Sequence, residues 1–176
     1  MDTLQLSWTD YIPHKPTPKQ LAFLLLENQE ALYGGAAGGG KSDALLMAAL
    51  QYVDVPGYSA LLLRRSYTDL SLPGALMDRA KAWLIPTLAH WRDSMKTWEF
   101  PSGATVTFGY LERPGDEYRY QSTEFQFVGF DELTQFTETQ YRYLFSRLRR
   151  SNEVDVPLRM RSASNPGGVG HEWVRE

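Results

Sequence analysis

Between a short apolar segment, Ala31-Leu32-Tyr33, and a long run of helix formers from Lys41 to Tyr52 lies a stretch made only of glycine and alanine, Gly34 to Gly40. Glycine gives up more backbone freedom on folding than any other residue, so this stretch belongs to neither a helix nor a strand interior. It reads as a tight loop joining a strand to a helix. The residues Gly35-Ala36-Ala37-Gly38-Gly39-Gly40-Lys41-Ser42 fit the pattern G-x-x-x-x-G-K-[ST] in full. Glycines let successive backbone N–H groups curl around an anion. The helix opening near Lys41 adds the positive end of its dipole. On this reading Gly35, Gly38, Gly39 and Gly40 cradle the phosphates of ATP, Lys41 reaches the β- and γ-phosphates, and the Ser42 hydroxyl ligates Mg2+. The bland alternative is a flexible glycine loop that happens to precede Lys-Ser.

The chain around the loop alternates between strand and helix signals. Thr17 followed by Pro18 is an N-cap with proline at the first helical position, and a helix is expected from Pro18 to about Asn28. Tyr58 to Leu63 is a continuous apolar run after the Pro56-Gly57 turn, which suits a strand buried on both faces of a parallel sheet. Helical pieces are expected near Tyr67 to Leu70 and from Pro73 to His90, then a hairpin of Thr97 to Phe100 with Thr105 to Tyr110 about Pro101-Ser102-Gly103. Leu111 to Ser122 reads as a polar loop. Phe125 to Phe130 is the next strand, Glu138 to Arg150 an amphipathic helix with Tyr141, Leu144, Phe145 and Leu148 on one face, and Leu158 to Ser164 a last strand. This order implies an α/β fold, a three-layer P-loop NTPase with a mostly parallel central sheet, of the type with an additional strand and a catalytic glutamate.

The strand from Phe125 ends in Asp131-Glu132, and the carboxyl ends of parallel strands are where α/β sheets place ligands. Asp131 would hold Mg2+ through its water shell. Glu132, one residue on, would polarise an attacking water. A solvated acidic turn or a helix N-cap is the plainer reading of the same pair. Asn165 follows the last strand in Ser164-Asn165-Pro166-Gly167-Gly168, where its carboxamide could touch the γ-phosphate or the attacking water. An ordinary Asn-Pro-Gly turn would also explain it.

Composition narrows the classes. The 176 residues, 43% hydrophobic, suffice for one domain with a real core. With no cysteine there is no disulfide framework and no thiolate metal site, and the three histidines, His14, His90 and His171, are far apart, so any metal is held mostly by oxygen. The longest apolar runs, Leu21 to Leu26 and Ala44 to Leu50, are far shorter than the roughly 20 residues that span a bilayer. Met1 to Asp10 lacks a basic start followed by an apolar block, so the sequence reads as intracellular and soluble.

Taken together, the residues resemble the ATPase half of a tailed-phage terminase large subunit, the motor that packs DNA into preformed capsids. The likeness runs through Pro18-x-Gln20, Gly34 to Ser42, Leu61-Leu62-Leu63-Arg64, Val128 to Leu133, Phe145 to Arg149 and Ser164-Asn165-Pro166-Gly167-Gly168, most of the chain. The order and spacing of these motifs, not any one of them, makes it specific. The resemblance implies an adenine contact for Gln20, against a solvent-facing place on a capped helix. It makes Ser164-Asn165 a coupling motif linking hydrolysis to movement. It offers Arg119, shortly before the acidic strand, as an arginine finger for a neighbouring subunit, with Arg64 the rival and an exposed or ion-paired arginine the plain reading of both.

The partners implied by the resemblance are double-stranded DNA, a capsid portal and a small terminase subunit, in a homo-oligomeric ring, with no membrane, in the cytoplasm of the infected bacterial host. Family members continue into a nuclease, whereas this sequence stops at Glu176. Residues 1–176 are therefore expected to be one ATPase domain incomplete at its C-terminal end, with no nuclease. A helicase-like P-loop ATPase remains as an alternative, as does a truncated nucleotide-binding assembly module. A small-molecule kinase is disfavoured, because it would lack a water-activating glutamate beside the Mg2+ aspartate.

The net charge of −3 gives no general pull on nucleic acid, but Gln140 to Arg161 holds six arginines against two acids. Arg142 and Arg149, seven apart, would share a helix face that could meet phosphates or a neighbouring subunit. The favoured reading is a basic, solvated helix face, since no exposed aromatics interleave.

Overall fold

Thr17 starts the first helix, α1 (Pro18–Leu25), through a complete capping box: its hydroxyl accepts from Gln20 N, and the Gln20 side chain accepts from Thr17 N. The structure, a computed structural model, describes residues 6–35, 40–151 and 153–165 of the chain. Strand β1 (Glu30–Gly34) leads into the glycine stretch and α2 (Lys41–Leu50) leaves it. Strand β2 (Ser59–Arg64), the short α3 (Tyr67–Ser71) and α4 (Leu76–Leu84) follow. Then come β3 (His90–Arg92), β4 (Thr97–Glu99), β5 (Thr105–Tyr110), β6 (Phe127–Asp131), α5 (Glu138–Ser146) and β7 (Arg159–Ser164).

Among the described residues the strands form one seven-stranded sheet in the order β1-β7-β6-β2-β5-β4-β3. The first five in that order are parallel, and β4 joins β5 antiparallel as the expected hairpin, with β3 antiparallel outside it. The glycine-loop strand β1 and the acidic strand β6 are not neighbours; β7 lies between them, paired in parallel with both. This is the additional strand of the expected fold type.

The pleat sends alternate side chains to opposite faces. On β2, Ala60 and Leu62 join one core with Leu45, Leu46, Leu50, Leu24, Leu76 and Leu84 from α2, α1 and α4. Leu61 and Leu63 join another with Val128, Phe130, Met160, Leu133 and Leu144. Helices thus cover both faces, which makes the three layers. Gly129 in β6 is needed for this packing: a Cβ there would meet Leu62 Cδ2 at 2.7 Å and Leu45 Cδ1 at 3.2 Å.

Several expected boundaries shift. The first helix ends at Leu25, with Leu26 already extended. The expected helix from Pro73 to His90 shortens to α4, because Pro86 lacks the N–H that would continue it and forces Ile85 to be its last turn, and His90 opens β3 instead. The loop from Leu111 contains a 3-10 helix, Asp116–Tyr120. The helix expected to reach Arg150 stops at Ser146, since the next residues pair with Phe125: Phe125 N donates to Arg147 O and Arg149 N donates to Phe125 O, both at 2.9 Å. Arg149 therefore leaves the helix and shares no face with Arg142, which pairs with Glu138 at 2.8 Å.

The basic stretch is also not one solvated face. Arg161 is fully buried on β7 and Arg159 nearly so. The Arg161 fork ties down the chain after α1, Nη2 donating to Leu26 O at 2.9 Å and Nη1 to Gln29 O at 3.2 Å, and burial lowers its pKa to about 10. Arg161→Lys keeps the charge but not the planar fork. It is expected to lower stability by about 2 kcal/mol, read as a shifted urea midpoint at constant slope. An unmoved midpoint would show that the fork carries no weight.

Candidate active site

Four parallel strands deliver their ends to one edge of the sheet: β1 the glycine loop, β7 Ser164 and Asn165, β6 Asp131 and Glu132, and β2 Arg64. There Gly40, Lys41, Ser42, Glu132 and Asn165 line one cleft of about 360 Å³. The Ser42 hydroxyl lies 3.4 Å and 3.5 Å from the two Asp131 carboxylate oxygens, although 89 residues separate them in sequence.

The turn at the start of α2 is built by glycine. Gly40 caps the helix with φ +73°, and a Cβ there would meet Gln20 Nε2 at 2.6 Å. That close approach exists because Gln20 Nε2 donates to Gly40 O at 3.0 Å. Gln20 is buried, its Oε1 held by the Thr17 cap, so the amide keeps one N–H and one lone pair for any further partner. Lys41 is almost fully buried and its ammonium donates to Gly35 O at 3.3 Å. Gly38 and Gly39 lie outside the described residues, as do Pro166, Gly167 and Gly168.

Asp131 is buried at the end of β6, and Arg64 Nη1 pairs with its Oδ2 at 3.0 Å. Burial pushes the Asp131 carboxyl above its ordinary range, opposed by the Arg64 charge and by the hydrogen bonds from Arg64 and Ser42. Glu132 then turns sharply, with φ +57° and ψ +60°, a left-handed conformation rare for a glutamate. The turn is fixed by Gln135 N donating to Glu132 O at 3.0 Å. It is also tied to β7 through Ser164 Oγ, which lies 3.2 Å from Thr134 Oγ1. Ser164 and Asn165 are thereby joined to the acidic turn, and Asn165 Oδ1 is buried without a hydrogen-bond partner among the described residues.

This arrangement suits Mg2+. The described residues contain no cluster of three or more metal-ligating acids or histidines, so a cation here would rely on Ser42, Asp131, water and phosphate oxygens. Mg2+ keeps several waters and takes few protein ligands, and Arg64 already marks the place beside Asp131 where positive charge is needed.

The model for the family "Terminase large subunit, T4likevirus-type, N-terminal" matches residues 32–172. The chain belongs to this family. Among curated proteins none matches. Solved structures give the fold again. The HK97 bacteriophage large terminase superposes with TM-score 0.66 at 13% identity, covering 86% of this terminase chain and 33% of that one. The large terminase of a thermophilic bacteriophage, in complex with ATP-γ-S, gives 0.60 at 13% identity over 89% of this chain and 36% of that one. The large terminase ATPase domain of a Thermus phage gives 0.56 at 16% identity over 96% and 74%. This terminase chain thus spans about a third of the length of the first two of these chains. The family match favours the packaging reading over the helicase-like one.

Of the two arginine candidates, Arg64 faces inward on Asp131. Arg119 lies at the surface, its Nη2 donating to Tyr110 O at 2.6 Å and its guanidinium stacked 4.7 Å from the Tyr110 ring. Sequence reading missed Asp43 and Arg79, which complete the lining of the cleft. Asp43 could have been noticed as the residue directly after the motif; nothing in the sequence marks Arg79.

Proposed function

We propose that this terminase chain is an ATP-hydrolysing motor domain that drives double-stranded DNA packaging. The observation that supports it most is the approach of Ser42 Oγ to Asp131 within 3.4 Å, at a cleft also lined by Lys41, Glu132 and Asn165. Lys41 and the backbone of the glycine loop bind the phosphate chain. Ser42 and Asp131 would hold Mg2+, which when bound would supply positive charge against that of the phosphates. Glu132 accepts a hydrogen bond from the attacking water and takes its proton as the water oxygen bonds to the γ-phosphorus and the bond from that phosphorus to the β,γ-bridging oxygen breaks, leaving ADP and phosphate. Asn165, whose buried Oδ1 has no hydrogen-bond partner among the described residues, orients that water by accepting from it, or the γ-phosphate by donating from Nδ2. The Ser164 to Thr134 contact carries a shift at Asn165 to the acidic turn, in keeping with a coupling role.

Gln20 links the capped helix to Gly40 and spends its remaining amide valences on the adenine. Arg119, exposed at the same edge of the fold, serves a neighbouring copy in a homo-oligomeric ring. Arg64 serves its own Asp131. The partners are the DNA, a capsid portal and a small terminase subunit, and the setting is the cytoplasm of the infected host. Among the described residues no helix is long and apolar enough to cross a membrane.

Lys41→Ala tests the reading. The unaltered chain is expected to gain several degrees of melting temperature with excess Mg2+ and ATP, by mass action. The variant is expected to gain none. A shift of full size in Lys41→Ala would sink the phosphate-loop assignment.

A further inference from the structure

Two residues lining the cleft have no part in that reading, Asp43 in the first turn of α2 and Arg79 on α4. They pair with each other, Arg79 Nη1 to Asp43 Oδ1 at 2.6 Å. A second bond anchors the guanidinium, Nε donating to Gly74 O at 2.8 Å, and Nη2 makes no hydrogen bond among the described residues.

Two ion pairs lie at this edge of the sheet, one lining the cleft and one behind Ser42, and they differ in burial. The Arg64–Asp131 pair has side chains 19% and 2% exposed, whereas Arg79 and Asp43 are 43% and 26% exposed. An exposed pair contributes little to stability and exchanges partners readily. A guanidinium facing phosphate oxygens gains charge-assisted, forked hydrogen bonds that are stronger than its bond to a solvated carboxylate. Asp43 meanwhile stands next to Ser42, where an incoming phosphate chain adds negative charge and repels it.

We infer that Arg79 is a second cationic contact for the phosphate chain of a nucleoside triphosphate, held on Asp43 while the cleft is empty and released to the phosphates on binding. This rests on the cleft being the nucleotide site. Arg79 would then give the cleft a positive group from α4, opposite Lys41 on the loop side.

A double-mutant cycle on the full chain tests the exchange, with ATP-γ-S and inorganic tripolyphosphate as probes and adenosine as control. Arg79→Ala is expected to raise the Kd for ATP-γ-S and tripolyphosphate about tenfold, with adenosine unchanged. Asp43→Asn, which breaks the same ion pair, is expected to lower it about threefold, and to have a clearly smaller effect when Arg79 is already alanine. Arg79→Lys, which keeps the charge without the fork, should fall between.

Opposite signs with coupling support the exchange. Equal weakening by Arg79→Ala and Asp43→Asn would mean a purely structural ion pair and overturn it. So would an unchanged Kd in Arg79→Ala while Lys41→Ala abolishes binding. Retained binding in Lys41→Ala would instead fault the nucleotide reading of the cleft, and this proposal with it.

Discussion

Glu132→Gln is expected to lower ATP turnover about 10²-fold or more while leaving the Kd for nucleotide within about twofold. Glutamine keeps the length and shape of the side chain but cannot take a proton, so binding and hydrolysis separate. The backbone favours this separation. Glu132 sits in the left-handed region at φ +57°, a conformation that disfavours any residue with a Cβ by about 1 kcal/mol. The strain is the same for Glu and Gln, so Glu132→Gln should fold as the unaltered chain does. Glu132→Gly removes the strain along with the carboxylate, and should lose turnover while gaining up to about 1 kcal/mol of stability. Steady-state phosphate release and urea unfolding measure the two. Unchanged turnover in Glu132→Gln would remove this residue from its role, and a loss of stability in Glu132→Gly would show that the carboxylate holds the turn.

The parts of this fold that were legible in the sequence are those written by local chemistry. The Thr17 and Gln20 capping box needs only residues three apart, and the buried run Leu61 to Leu63 has too little polarity to lie anywhere but between two layers. The strand before the glycine stretch, the helix after it and the Asp131-Glu132 strand end were legible for the same reason. Pro86, which has no N–H to continue a helix, also marks the observed end of α4 in the sequence. What was not legible depends on partners far along the chain. α5 ends at Ser146 because Phe125, just ahead of β6, takes the backbone of Arg147 and Arg149. Arg161 reads as a surface charge by residue type, yet its acceptors are carbonyls at Leu26 and Gln29, which only the β1–β7 pairing brings near. Within the cleft, the Arg79 to Asp43 pair spans 36 residues and two helices, and no periodicity predicts it.

The Arg64–Asp131 pair makes the other large expected effect. Arg64→Met fills similar space without charge and leaves Asp131 buried beside Ser42 with no cation. Stability near pH 7 should fall by about 3 kcal/mol, as when one partner of a buried pair is removed. The deficit should also depend on pH, with a definite sign. Burial already holds the Asp131 carboxyl above its ordinary range, with Arg64 opposing, so removing Arg64 raises it further. A carboxyl whose pKa is raised by folding binds protons more tightly in the folded state, so its effect on stability worsens as pH rises through that pKa and eases as pH falls. The gap between Arg64→Met and the unaltered chain should therefore narrow between pH 7 and pH 5 in urea unfolding. Because the deficit comes from an unpaired carboxylate, Mg2+ with nucleotide should narrow it at pH 7 as well, by supplying the missing positive charge. A gap that stays constant from pH 5 to pH 7 would mean that Arg64 acts through its packing and not through Asp131.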